Sequence, residues 1–289
     1  AYTDPQDELC DTVVTFRYFD QITERADKRL PENLQPLPLD FNHLKEVMAT
    51  WQKSLEHISY LTLYWNNHDM SRILEQVGTS YRSQRTIAKM LATLMYLQRG
   101  IPCIYYGEEI GMQNLRYDQI DELHDEQAKE AYAAAIEQHM PAEKALELIS
   151  RSHKMGARGV MQWDASEYCG FSKVKPWNFG QTIQANVHDE SVNNQSVLQY
   201  YRRLLKLKKE PLFTEGKFTL ENTSDDLYVY RRTLKDEEAL IICNLTHKAQ
   251  QYQFTGEVDD ILLQNGRITV EKQQILISAY GSLVIKKTI

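Results

Sequence analysis

Cysteine, long apolar runs and basic clusters are all scarce in this chain. Its 289 residues hold four cysteines, Cys10, Cys103, Cys169 and Cys243, far apart and without a CxxC pair. A disulfide framework would be denser, and a structural zinc site would need closer ligand spacing. Free thiols in a cytoplasmic protein are therefore expected, with no metal. No stretch approaches the roughly 18 uninterrupted apolar residues of a spanning helix, so no membrane partner is expected. The opening "AYTDPQDELCD" lacks the basic start and apolar centre of a signal peptide. Lys and Arg total 33 against 40 Asp and Glu, a net charge of −7, and no long basic run occurs. A nucleic-acid backbone is thus an unsuitable partner. Internal repeats and low-complexity tracts are also missing. What remains is an ordinary globular composition, 42% apolar and 25% charged, in a chain long enough to bury a sizeable core.

The first hundred residues alternate two kinds of pattern. "TVVTFRYF" (12–19) is β-branched and aromatic, as a strand requires. After the Pro-rich "RLPENLQPLPLD", the segment "FNHLKEVMATWQKSLE" carries Leu44, Val47, Met48, Trp51 and Leu55 at the spacing of an amphipathic helix. Leu61 to Trp65 reads as a second strand. From Ser83 to Arg99, Ile87, Met90, Leu91, Leu94 and Met95 repeat the helical period, with Gly100 at the position of a C-terminal cap. "IPCIYY" is a third strand, closed by Gly107. Short apolar strands alternating with amphipathic helices imply a parallel sheet buried on both faces. Residues 115–155 are polar with helical stretches and read as an insertion; "GVMQWDASEYCGFSKVKPWNFG" reads as a structured loop. Another helix spans about Ser196 to Lys208. Beyond Pro211 come "KFTL", "LYVYRRT", "ALIICNL", "QYQF", "DILLQ", "RITV" and "SLVIKK", short strands of an antiparallel β-domain. In "QNGR" the Asn-Gly pair signals a two-residue hairpin.

Parallel α/β sheets place their chemistry at strand C-termini, and two acidic motifs fall there. The first is "YWNNHDMSR" (64–72). Asp69 can stabilise developing positive charge or hold sugar hydroxyls, and His68 can donate to a hydroxyl while neutral. Turn chemistry explains Asn66, Asn67 and Asp69 equally well, because Asn and Asp satisfy loop backbone groups. The second is Glu108–Glu109. Neighbours on a chain usually point in different directions, which favours a structural role, holding the loop or pairing with an Arg such as Arg72, over acid/base work. Arg158 lies in a loop able to fold over the strand ends and clamp hydroxyls or phosphate; an ordinary ion pair is the alternative. His124, His139 and His153 are too dispersed for a metal and read as solvated helix residues.

Taken in order, these segments resemble α-amylase-type glycoside hydrolases, in the branch of oligo-1,6-glucosidases, dextran glucosidases and trehalose-6-phosphate hydrolases. "YWNNHDMSR", "GIPCIYYGEEIGMQN" and "GARGVMQWDASEYCGF" are each similar to a family motif, and the final β-domain is similar to the family's C-terminal sandwich. The resemblance runs from about Val13 to the end. It implies an α/β plus all-β fold: the C-terminal portion, strands six to eight, of a (β/α)8 TIM barrel over residues 1–210, then an antiparallel β-sandwich over 211–289. It makes Asp69 the carboxylate that grips sugar hydroxyls and favours the oxocarbenium-like state. His68, Asn67 and Arg158 become substrate-binding residues, and no cofactor is implied. The implied activity is retaining hydrolysis of α-glucosidic bonds in short oligosaccharides, α-1,6 favoured.

The departures are as informative. Retaining enzymes need a nucleophile and an acid/base carboxylate about 5–5.5 Å apart. In this family they follow the fourth and fifth strands, within and just after a Gly-Phe-Arg-x-Asp motif that these residues lack. Ser71 and Val160 stand where the family usually has proline. The resemblance thus implies that strands one to five, the nucleophile and the acid/base lie outside this chain, and that the chain alone is inactive. Three strands cannot close a barrel. Exposed strand edges would then be covered by the N-terminal barrel half or by self-association. The alternative is a non-catalytic carbohydrate-binding or interaction module derived from such an enzyme.

Overall fold

The computed structural model describes residues 9–77, 81–182, 185–256, 258–271 and 273–288. Helix α1 (Phe41–Ser54) begins where the Asp40 carboxylate accepts from the backbone N–H groups of Asn42 and His43, an N-cap that satisfies two otherwise unpaired donors. Its Leu44 and Met48 are buried. Strand β1 (Thr62–Leu63) and strand β2 (Ile101–Pro102) pair in parallel, Thr62 opposite Ile101 and Leu63 opposite Pro102. Between them runs α2 (Tyr81–Tyr96), whose Ile87, Met90, Leu91, Leu94 and Met95 are almost fully buried. The paired stretches are two residues each, shorter than the apolar runs that contain them. The pairing rests on Ile101 N–H to the Leu61 carbonyl and Cys103 N–H to the Leu63 carbonyl, at 2.7 and 2.8 Å. Gly100 makes this approach possible: a Cβ there would lie 2.5 Å from the Leu61 carbonyl oxygen.

Residues 12–19 do not form the expected strand; they are irregular. The segment is tied to β1 by side chains instead. The Thr12 hydroxyl donates to the Tyr60 carbonyl at 2.7 Å, and the Tyr64 hydroxyl donates to the Thr15 carbonyl at 2.7 Å. β-branched composition supplies propensity, but a ladder also needs a neighbour in register.

Helices α3 (Glu126–Glu137) and α4 (Ala142–Ser152) form the predicted helical stretch near 115–155. They close on a small core of their own, Leu123, Ala128, Ala135, Ala145 and Ile149, joined by Leu30 and Leu34 from the Pro-rich loop. Buried Glu75 pins this unit down: Arg116 reaches it at 2.9 Å and Arg151, from α4, at 3.0 Å. Short helices α5 (Lys154–Ala157) and α6 (Val187–Val192) precede α7 (Val197–Lys208), which Ser196 caps by accepting from Gln199 N–H. The one-turn α8 (Pro211–Thr214) leads into the β-region.

Strands β3 (Lys217–Leu220), β4 (Leu227–Leu234), β5 (Glu237–Asn244), β6 (Gln250–Gln253), β7 (Asp260–Asn265), β8 (Ile268–Glu271), β9 (Gln274–Ile277) and β10 (Ser282–Thr288) form two antiparallel sheets. One has the order β3-β4-β5-β10-β7 and the other β6-β9-β8. Leu227, Val229, Leu240, Ile242, Ile275 and Ile277 share the apolar layer of this sandwich. Alternate residues of β4 and β5, including Tyr228, Tyr230, Ile241 and Cys243, belong to the main core with α2 and α7. The Tyr230 hydroxyl donates to the Thr93 carbonyl of α2 at 3.1 Å. The central strands therefore read as continuous apolar runs because both faces are covered. The Asn-Gly signal proves misleading: β7 and β8 flank Asn265–Gly266 yet pair with β10 and β9, in different sheets. Gly266 makes a left-handed corner (φ +84°) between sheets, and β9 is a strand the pattern did not reveal.

Among the described residues no disulfide forms; Cys169 and Cys243 are buried and Cys103 is exposed. No helix among them is long and apolar enough to cross a membrane.

Candidate active site

The Asn66–Arg72 turn leaves the C-terminal end of β1, as the strand-end argument requires. Its shape is local chemistry first: the Asn67 side-chain oxygen accepts from Asp69 N–H at 2.8 Å, an Asx-type turn. Asn67 is thus partly spent on the backbone, which is the turn reading of this motif. Asp69 and His68 project outward, their side chains 54% and 67% exposed, with His68 Nε2 3.4 Å from an Asp69 carboxylate oxygen. Arg158, just after α5, reaches across 89 positions of chain. Its Nη2 donates to Asp69 at 3.3 Å, and its Nε donates to the His68 carbonyl at 2.7 Å. The four residues singled out from sequence therefore meet in one place, and Arg158 makes the ion pair of its plain reading with the very carboxylate of interest.

Two hollows flank this pair. A groove of about 490 Å³ has Phe16, Phe19, Asp69, Asp125 and His153 in its walls. A second hollow, about 460 Å³, is bounded by Tyr106, Glu109, Arg158, Trp163, Phe171 and Trp177. Both fall within the size range of small-ligand sites. Trp163, Phe171 and Trp177 stand in the non-periodic aromatic loop; their exposure, 50 to 69%, is a property periodicity could not reveal. His153 corrects the solvated-helix reading. It is buried, caps α5 by accepting from Met155 N–H, and lies 3.6 Å from Asp125; burial lowers its pKa. His124 and His139 occupy left-handed turns (φ 52° and 64°) at helix ends. Among the described residues no group of three His, Cys, Asp or Glu could hold a metal.

The two glutamates do diverge. Glu108 is buried and Glu109 half-buried. Glu108 accepts from the Tyr201 hydroxyl at 2.9 Å and from Tyr96 and the Asn66 amide; burial pushes its pKa up to about 7. Burial likewise raises that of Glu109. The expected partner Arg72 binds neither carboxylate. Its guanidinium donates to the Tyr106 and Ala157 carbonyls at 2.9 and 3.1 Å and lies over the Tyr105 and Tyr106 rings. Hydroxyl and amide donors took the carboxylate, and peptide dipoles with aromatic faces took the cation.

A fold with a parallel β/α pair carrying acidic turns at its strand ends, followed by a two-sheet β-region, defines the class. The family described as alpha amylase, catalytic domain, matches residues 1–216, and the chain belongs to it. An oligo-1,6-glucosidase of Halalkalibacterium halodurans is 33% identical over 230 residues, 76% of this chain and 40% of that protein. A glucan 1,6-alpha-glucosidase of Streptococcus pneumoniae is 31% identical over 281 residues, 94% of this chain and 51% of that protein. Among solved structures, a family GH13_31 enzyme superposes with TM-score 0.88 at 35% identity, over 99% of this chain and 50% of that one. The trehalose-6-phosphate hydrolase of Bacillus licheniformis does so with TM-score 0.86 at 26% identity, over 100% and 53%. The chain spans about half the length of the relatives it matches.

Proposed function

We propose that this chain is the C-terminal part of a retaining α-glucosidase that acts on short α-glucoside oligosaccharides, with α-1,6 bonds favoured. Residues 1–210 supply a C-terminal portion of its barrel, of which β1 and β2 form the parallel pair, with the helical insertion at about 115–155, and residues 211–289 its β-sandwich. Asp69 is the transition-state stabiliser. His68, Arg158 and the Asn67 amide group hold sugar hydroxyls. The observation that carries this reading is the convergence of Arg158, Asp69 and His68 at the end of a parallel strand. A carboxylate with a guanidinium offers paired acceptors and donors suited to vicinal hydroxyls, and the site lies at the barrel end where such chemistry sits. The relatives named for 1,6-glucosidase activity support the linkage preference.

A retaining mechanism needs two further carboxylates about 5–5.5 Å apart, and the chain alone is proposed to be inactive because its motifs supply neither. Val14, Phe16 and Ile101 are exposed apolar residues beside the two-stranded parallel pair, a surface suited to the missing barrel half or to self-association. The test is hydrolysis of isomaltose or p-nitrophenyl α-glucoside. The chain alone should show none; robust turnover by it, lost in Asp69→Ala, would refute the inactive-part reading. A non-catalytic carbohydrate-binding module is the second reading, favoured by the exposure of Asp69 and His68. It requires calorimetric glucoside affinity in the isolated chain that disappears in His68→Ala and Arg158→Ala.

A further inference from the structure

The site residues ride on a turn whose ends are held by buried polar groups, and one of these has no role in the chemistry above. We infer that Glu108 is a positioning residue: through Asn66 it fixes the turn that presents His68 and Asp69. The inference rests on reading Asp69 as a site residue.

Asn66 stands at the first position of the turn and is buried. Its amide nitrogen donates to Glu108, while its side-chain oxygen accepts from Ile73 N–H at 2.7 Å. One side chain therefore pins both ends of the Asn66–Ile73 loop. On the far side, Arg72 N–H donates to the Asn114 side-chain oxygen at 2.9 Å. Glu108 is held in turn by the Tyr96 hydroxyl of α2 and the Tyr201 hydroxyl of α7. The chain of contacts runs from two packed helices to the carboxylate, to the amide, to the turn.

A carboxylate has a specific use here. When ionised, above its raised pKa of about 7, Glu108 accepts only, so it dictates which end of the Asn66 amide faces it. The NH2 must point at Glu108, which leaves the oxygen for Ile73 N–H. An apolar residue at 108 would leave the amide, and two tyrosine hydroxyls, without their acceptor. Glutamine keeps an acceptor oxygen for Asn66; leucine does not.

The reporter is the Asp69 backbone amide, which is bonded to Asn67 and touches neither Asn66 nor Glu108. Its hydrogen exchange is followed by NMR in the 289-residue chain, with the Ile241 amide of β5 as a remote control. Glu108→Leu should speed Asp69 exchange tenfold or more with Ile241 unchanged, and Glu108→Gln should stay within threefold of the parent. Tyr201→Phe removes one of the two hydroxyls that hold Glu108, keeps the Glu108–Asn66 link itself, and should speed Asp69 exchange less than Glu108→Leu does; an equal or larger effect would refute the link through Asn66. Unchanged Asp69 exchange in Glu108→Leu, or glutamine behaving as leucine, would overturn the inference. If Glu108→Leu fails to fold, Asn66→Ala decides: it cuts the same link and should speed Asp69 exchange equally, whereas no change refutes the link. No sugar enters this measurement, so failure of the glucosidase reading and failure of the clamp give separate results.

Discussion

Replacing Arg232 by methionine removes a fully buried cation without removing its aliphatic bulk. Arg232 is fully buried on β4, and none of its bonds goes to a carboxylate. Its Nη1 donates to the Leu97 and Phe213 carbonyls at 2.6 and 2.8 Å, and its Nη2 and Nε donate to the Gly216 carbonyl at 2.6 and 3.2 Å. Leu97 follows the end of α2, and Phe213 and Gly216 surround the end of α8, so the guanidinium gathers peptide carbonyls where helices run out of partners. In Arg232→Met the Phe213 carbonyl keeps the Lys208 Nζ donor at 2.9 Å, but the Leu97 and Gly216 oxygens lose these donors. An orphaned buried acceptor costs about 1–3 kcal/mol; two of them cost about 2–6 kcal/mol, and burying methionine in place of a charge brings the expected loss to about 2–4 kcal/mol. Against a usual stability of about 5–15 kcal/mol this should lower the urea midpoint strongly, read by the fluorescence of buried Trp65. A loss below about 1 kcal/mol would show that water or a shifted backbone replaces the guanidinium, and would refute the assignment of these three carbonyls to it.

Three more outcomes follow from buried groups near the same helices. Burial, then the nearby Arg232 and Arg99 charges, push Lys208 down to about 6 from 10.5; the unfolded chain holds that proton where the folded chain does not, so stability rises with pH between these values. Urea midpoints across this window should climb in the parent and climb less in Lys208→Met. Burial raises Glu108 to about 7 from 4.5; here the folded chain holds the proton, so this group's contribution falls as pH rises from 4.5 to 7 and is constant above. Glu108→Gln should flatten that slope in thermal melts at pH 5, 6 and 7. Gly100→Ala places a Cβ 2.5 Å from the Leu61 carbonyl and 2.7 Å from Leu63, at the β1–β2 junction. Overpacking of this kind costs about 1–3 kcal/mol, visible as a lower urea midpoint.

The longer helices were legible because each has one buried face. Leu44 and Met48 in α1, and the Ile87–Met95 series in α2, repeat at the helical period; their ends were less legible, since α2 stops at Tyr96, short of Gly100. Strand pairing was less legible because partners are chosen by tertiary contacts. Residues 12–19 have strand composition and no ladder, and Asn265–Gly266 has a hairpin sequence at a corner between sheets. The site showed the same division. Asp69, His68 and Arg158 were found because residue type and strand-end position point to them. The structural role of the Glu108–Glu109 pair was legible too, but not which of the two carboxylates, nor which of the amides Asn66 and Asn67, turns inward, because that depends on tertiary contacts. Arg72 was assigned the wrong partner because sequence shows charges but not the hydroxyls and carbonyls that compete for them.

The most direct test mixes this chain with the part of the Bacillus cereus oligo-1,6-glucosidase that it does not cover, a relative 32% identical over 265 residues. Isomaltose hydrolysis and the anomeric form of the released glucose are then measured by NMR. The account predicts no hydrolysis by either part alone and retaining hydrolysis by the mixture, abolished by Asp69→Asn in this chain. Hydrolysis by this chain alone, or activity of the mixture indifferent to Asp69→Asn, would contradict it.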